Sequence, residues 1–267
     1  MNDVSQEEDI KLSLDTGVLT ILFNRPQARN ALTPAMLATL VETLEDAREN
    51  PDVRLIVLTG AGGNFCAGGD VKAMSKASGS LSEEKRRTDL LDRARVISLL
   101  QSLPKPTIAL VEGAAAGAGL ALALACDFRL ASQSARFVTG YAKIGLSGDF
   151  GVSYFLTQLV GQAKALEMLM FSQPVIGEKA RAMGLVHRTF EEKQFHAKAA
   201  DWIKPLAVGP TRSFAAMKRN LQAAARAPLE DVLALEASNQ AACAQTDDHK
   251  AAIAAFISKS QPVFSGK

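Results

Sequence analysis

Two stretches constrain this chain more than any others: LIVLTGAGGNFCAGGDVKAM, residues 55–74, and TIALVEGAAAGAGLALALACD, residues 107–127. In each, an apolar run suited to a buried strand enters a string of glycines and alanines and then a helix-compatible run. Small residues let a ligand approach the backbone closely. Free N–H groups at a helix start are preorganised donors for negative charge. Taken singly, each junction reads as a tight turn. Gly117-Ala118-Gly119 after a strand also invites a dinucleotide-binding reading. Against it, Leu122 stands where the third glycine belongs, and Asp127 comes only eight residues after Gly119 instead of about 20.

Around these junctions the first half alternates strand and helix signals. Leu19–Phe23 reads as a strand ended by Asn24-Arg25-Pro26. Thr33 reads as an N-cap with Pro34 at the first helical position, ahead of Met36, Leu37, Leu40, Val41 and Leu44 at helical spacing. Val53–Thr59 and Thr107–Val111 are strands, with a helix from about Ser82 to Leu103 stopped by Pro104 and Pro106. Gly119–Cys126 has the length and alanine content of a buried helix, and Phe128–Ala131 reads as another strand. A helix is expected over Phe150–Val160. Further helices are expected over Glu178–Met183, Glu191–Ile203, Thr211–Ala225, Leu229–Ala241 and Asp247–Ser258. This order implies an α/β core with a helical C-terminal extension. The first residues and the polar stretch 75–87 are the expected mobile segments.

Composition removes several function classes. The 267 residues are 48% apolar and 22% charged, which describes a soluble globular chain able to bury a core without staples. A net charge of +2 offers no field for nucleic acid or an anionic membrane surface, so any anion must be held locally. Cys66, Cys126 and Cys243 have no paired spacing, which points to reduced thiols and a cytoplasmic setting. The acidic, polar start MNDVSQEEDI is not a signal peptide. The most apolar run, Gly113–Cys126, is 14 residues long against about 20 for a bilayer span. His187, His196 and His249 are scattered without a second ligand at useful spacing, so neither a metal site nor a Ser-His hydrolase is expected.

Phe65-Cys66-Ala67-Gly68-Gly69-Asp70 together with Glu112-Gly113-Ala114-Ala115-Ala116-Gly117-Ala118-Gly119 resembles the crotonase, or enoyl-CoA hydratase/isomerase, superfamily. Asn24-Arg25-Pro26 with Ala28-Arg29-Asn30-Ala31-Leu32 is similar to its N-terminal signature. Gly161, Ala165, Gly184-Leu185-Val186 and Phe256–Lys259 match later landmarks, so the resemblance runs from about Ile10 to Phe264. It implies an α/β crotonase-like (ββα) spiral core over residues 1–200. It also implies a helical C-terminal trimerisation region over 201–267, in a homotrimer or dimer of trimers.

The resemblance implies an acyl-CoA thioester as substrate, with CoA belonging to the substrate and no separate cofactor. Backbone N–H groups of Gly69 and Ala118 are implied as the donors that hold the thioester oxygen, each worth a few kcal/mol once charge develops there. The Ala118 methyl narrows the pocket where the family often has glycine. Substrate contacts are implied at the backbone of Ala28, Ala31 and Ala67, with Asp70 flanking that loop, Arg29 facing phosphate and Lys259 approaching the nucleotide end. For Arg29 and Lys259 an ordinary solvated side chain is an equal alternative.

The hydratases of this family use two glutamates, and at those positions stand Ala121 and Tyr141. Asp149 remains, at a position similar to the aspartate of family isomerases. Read locally, it would be the N-cap of the following helix; read by resemblance, it is the proton-transferring group. Phe137, Leu146 and Phe150 are the expected apolar surroundings that would raise its pKa. Tyr141 is expected as an acyl-pocket wall, with hydrogen-bond donation the alternative. Family dehalogenases pair an aspartate at this place with a histidine whose position holds Ala94, which argues against that chemistry. Isomerisation of an acyl-CoA double bond is the favoured activity. Hydration without the glutamate pair and non-catalytic acyl-CoA binding are the alternatives. Neither the polar stretch 75–87 nor the absent glutamates names the acyl group.

Overall fold

The computed structural model describes residues 8–70 and 82–267. A central sheet has the order β1 (Ile10–Asp15), β2 (Val18–Phe23), β3 (Leu55–Gly60), β4 (Thr107–Val111), β6 (Phe128–Ser132) and β9 (Arg188–Phe190). All neighbours run parallel except the β1–β2 hairpin at the edge. A second sheet joins β5 (Ala114–Ala116), β7 (Arg136–Val138) and β8 (Val175–Ile176).

Central parallel strands are covered on both faces and so read as continuous apolar runs. Their side chains alternate strictly between two layers. Ile56, Leu58, Ala109, Val111 and Ala131 face one core with α1 (Pro34–Glu49), α2 (Glu83–Ser102) and α3 (Ala118–Ala125). Leu55, Val57, Ile108, Leu110 and Leu130 face the other, covered by Phe195, Ala199, Ile203 and Ala207 of α6 (Phe195–Ala207). A boundary at residue 200 thus falls inside a helix whose two halves pack on the same side of the sheet.

Thr33 caps α1 as its spacing predicts: its side chain accepts from the Met36 N–H at 3.1 Å, with Pro34 at the first turn. Ser82 does the same for α2, accepting from the Lys85 N–H at 3.2 Å. Of the segments expected to be mobile, residues 1–7 and 75–81 lie outside the described residues, and Glu83–Arg87 form the first turns of α2. The helix expected over Phe150–Val160 starts later and runs further, as α4 (Val152–Phe171), interrupted at Gly161 with φ 76° and ψ 158°. After the short α5 (Gly177–Ala182) and α6 come α7 (Thr211–Ala224), α8 (Leu229–Ala244) and α9 (Asp247–Ser258).

The chain repeats a strand, short strand, helix unit: β4, β5 and α3, then β6, β7 and α4. All eight residues of α3 are buried, which explains why TIALVEGAAAGAGLALALACD is so poor in polar side chains. Among the described residues, no helix is long and apolar enough to cross a membrane.

Candidate active site

The two glycine-rich junctions meet. Beyond β3 the chain turns back and pairs with β5 at Cys66–Ala115 and with Leu32 at Gly69. Cys66 donates its N–H to Ala114 O at 2.9 Å and accepts from the Ala116 N–H at 2.9 Å. Gly68, at φ 91°, lies so close to the second junction that a Cβ there would sit 2.7 Å from Ala116 O and 3.4 Å from Ala118 N. Gly119 is equally confined, since its Cβ would lie 2.4 Å from Cys66 O and 2.7 Å from Cys66 Sγ. Glycine is required at both places for the loops to touch.

This packing leaves two donors over. Leu32 takes the Asp70 N–H and donates to Gly68 O, so the Gly69 N–H between them meets no acceptor among the described residues. Ala118 opens α3, where the first N–H groups have no intrahelical acceptor. Gly117 donates to Val138 O and Ala121 to Gly117 O. Neither the Gly69 nor the Ala118 N–H has an acceptor among the described residues. They belong to loops in direct contact, at the start of a buried helix, where its dipole adds to their pull on negative charge.

Tyr141 and Asp149 stand beside them. The Tyr141 ring packs over Gly117, with Cζ 4.0 Å from where a Gly117 Cβ would be, and its hydroxyl donates to Asp149 Oδ1 at 2.7 Å. Tyr141 is therefore buried, 6% exposed, and a hydrogen-bond donor. Asp149 does not cap α4: the cap position is Gly151 at φ 74°, without a side-chain bond, and only the Asp149 backbone carbonyl accepts from Val152.

Burial raises the Asp149 carboxyl above its ordinary pKa, and the Tyr141 hydrogen bond opposes that in part. Burial and the neighbouring Asp149 charge push the Tyr141 phenol far up. Phe137 and Phe150 are buried, but Leu146 is 48% exposed. It follows Gly145, which ends a 3-10 turn in the left-handed conformation. Ala121 is fully buried and brings no polar group to the site.

Of the implied CoA contacts, Ala28, Arg29, Ala31, Ala67 and Asp70 lie on loops joined to one another. Ala28 and Ala31 flank Arg29 and Asn30, both at positive φ, and Ala67 donates to Arg29 O at 2.9 Å. The Arg29 side chain is exposed. Asp70 does not merely flank the loop, since it pairs with Arg25 at 3.5 Å. Lys259 ends α9 in the left-handed conformation, exposed and with no hydrogen bond or ion pair to the Ala28–Ala31 or Ala67–Asp70 loops.

Two positioning residues went unassigned from sequence. The Arg25 guanidinium bonds Ala31 O at 2.6 Å and reaches Asp70. Fully buried Asn30 bonds Ala61 O, Asn64 O and the Arg25 N–H. Their signal was the N-R-P and A-R-N-A-L signature itself, visible as a motif but silent about which loops it ties.

The histidines lie elsewhere: His187 Nδ1 accepts the Arg129 N–H, and His196 pairs with Glu112 at 3.0 Å. Among the described residues, no three His, Cys, Asp or Glu gather in a way that could hold a metal ion.

The enoyl-CoA hydratase/isomerase family profile matches residues 13–267, and the chain belongs to that family. It is 36% identical over 261 residues to a Rhodobacter capsulatus protein named "Probable enoyl-CoA hydratase", covering 97% of this chain and 98% of the relative. It is 32% identical to the 1,2-epoxyphenylacetyl-CoA isomerase of Escherichia coli, covering 97% and 99% of the two chains. The crystal structure of an enoyl-CoA hydratase from Polaromonas sp. JS666 superposes with a TM-score of 0.90 at 32% identity, covering 96% and 99%. The fold is thus crotonase-like, and the family includes both hydratases and isomerases.

Proposed function

We propose that the protein is an acyl-CoA isomerase that moves a double bond by a proton shift on a single carboxylate, Asp149. The observation that carries this reading is the position of Asp149. It is a partly buried carboxyl with a raised pKa, tied to Tyr141, whose ring lies on Gly117 beside the free Ala118 N–H. A carboxylate with a raised pKa is a stronger base and, once protonated, a competent acid near neutral pH.

With the thioester oxygen on the Gly69 and Ala118 N–H groups, Asp149 takes a proton from the α- or γ-carbon of the acyl chain. The C–H electron pair moves into the conjugated system, and the charge comes to rest on the thioester oxygen as a dienolate. The carboxylic acid then returns its proton to the other terminal carbon, and the electrons close the shifted double bond. Nothing is oxidised, no leaving group departs, and no separate cofactor takes part, because CoA is part of the substrate. Each oxyanion donor contributes about 2.7–4 kcal/mol to the transition state. Ala28, Ala31 and Ala67 would take the CoA portion along their loops, with Asp70 shaping that of Ala67, Arg29 at phosphate and Lys259 at the nucleotide end.

Hydration is the second reading, favoured by the name of the Rhodobacter capsulatus relative. Against it, Ala121 offers no group to hold a water, and the Tyr141 hydroxyl is committed to Asp149. We further place the protein in the cytoplasm, as a homotrimer or dimer of trimers joined through its C-terminal helices. The test of activity is turnover of a panel of 2-enoyl-, 3-enoyl- and aromatic-derived CoA thioesters by wild type and Asp149→Asn. Isomer formation lost in the variant supports the reading, and undiminished turnover removes Asp149 from the mechanism. Binding of these thioesters with no turnover of any of them leaves an acyl-CoA-binding protein.

A further inference from the structure

Asp149 sits in a loop that does little to fix it. Gly145, Gly148, Phe150 and Gly151 all have positive φ, at 70°, 110°, 51° and 74°. The loop ends in a helix cap without a side-chain bond. What anchors the carboxyl is Tyr141, which precedes the loop and is itself fixed at three points. It opens a short 3-10 turn, Tyr141–Ile144, after Gly140. Its carbonyl accepts from the Leu146 N–H at 3.0 Å, and its ring is buried against Gly117.

We propose that Tyr141 is a positioning residue: its hydroxyl, donated to Asp149 Oδ1, holds the carboxylate with its other oxygen available to the substrate and stabilises the carboxylate's charged form. This rests on Asp149 being the proton-transferring group. A tyrosine acting only as a pocket wall would need no hydroxyl, and phenylalanine would serve as well. The recorded bond of 2.7 Å is in the range of a strong hydrogen bond to a carboxylate.

Among the titratable and charged groups of the described residues, Tyr141 is the one that acts on Asp149, beside burial, and Asp149 is the one that acts on Tyr141. A hydrogen bond to the charged form favours that form, so losing it moves the Asp149 titration to higher pH. By reciprocity, losing the Asp149 charge moves the tyrosine titration down.

Two measurements test this. On any substrate the panel identifies, Tyr141→Phe is expected to lower kcat at least tenfold while changing KM less than threefold. The acidic limb of kcat/KM moves up by half a pH unit or more. An unmoved acidic limb, or a loss confined to KM, makes Tyr141 a wall and overturns the proposal.

The second measurement keeps Tyr141 in place and needs no substrate. The chain has two tyrosines, so Tyr154→Phe leaves Tyr141 as the sole reporter. Its tyrosinate absorbance is expected to appear at lower pH with Asp149→Asn added than without it, and identical titrations would show that the two groups are uncoupled. If Asp149→Asn keeps full turnover while the titrations differ, the functional reading fails and the contact stands. If Asp149→Asn is inactive while Tyr141→Phe keeps its pH profile, only the positioning role fails.

Discussion

Asp149 sets the residue-scale behaviour. Its carboxyl is raised above 3.8 in the folded protein, mainly by burial, so the native state holds its proton more tightly than the unfolded chain does. Native stability therefore falls as pH rises from 3.8 through the folded pKa, and the penalty is fully present above it. Asp149→Asn removes that penalty while the amide oxygen still accepts from Tyr141. Calorimetry should find Asp149→Asn melting higher than wild type near neutral pH, with the gap closing below pH 3.8; a gap that widens on acidification would contradict the burial account. Local pattern suggested a helix cap at this position, because a carboxylate ahead of an apolar helical run has that signature. What decides otherwise is Gly151 at φ 74°, a backbone choice that puts the helix cap two residues past the acid. Hydrogen-bond donation by Tyr141 was open as an alternative in the sequence, but its partner, Asp149, was not, because spacing alone does not show which way a hydroxyl points.

At the scale of elements, α3 is the part whose sequence and purpose coincide. It is short, wholly buried and begins with a free N–H, and both neighbouring glycines exist to bring the two loops into contact. Gly119→Ala would drive a methyl into Cys66 O and Sγ and should cost about 1–3 kcal/mol, readable as a lower urea midpoint. A midpoint equal to wild type would mean the loops can separate freely. Ala118→Pro tests the donor itself, because proline is tolerated at a first helical position yet carries no N–H. Helix content should survive in circular dichroism while kcat falls about 100- to 1,000-fold. Retained turnover would place the oxyanion elsewhere. Strands β3 and β4 were legible from unbroken apolar runs, and α1 from its Thr33-Pro34 start. The short β5 and β7 were not: Ala114–Ala116 carries no period, and Arg136–Val138 is three residues long. The Arg25–Asp70 and Asn30–Ala61 ties were also hidden, since they join segments brought together only by the sheet.

At the scale of the molecule, the C-terminal helices expose several large apolar side chains. Leu221 is 74% exposed, Leu229 66%, Phe256 84% and Ile257 76%, on α7, α8 and α9. Where such side chains gather in a patch they mark a contact surface; on the trimer reading, light scattering after gel filtration should give three or six copies. Phe256→Glu should shift the distribution toward smaller species, whereas a wild-type monomer would remove the trimer expectation. The two-layered core was legible in outline, because strands came first and helices last. That α6 belongs to the sheet and not to the appended helices was not, since its amphipathic face fits either partner. The central claim, that one carboxylate moves a proton and no water is added, is tested most directly by product mass in 18O-labelled water. The account predicts products with the substrate's mass, unchanged because protons exchanged from 18O-labelled water carry no label, in wild type and their loss in Asp149→Asn. A product heavier by one labelled water would make the enzyme a hydratase and contradict it.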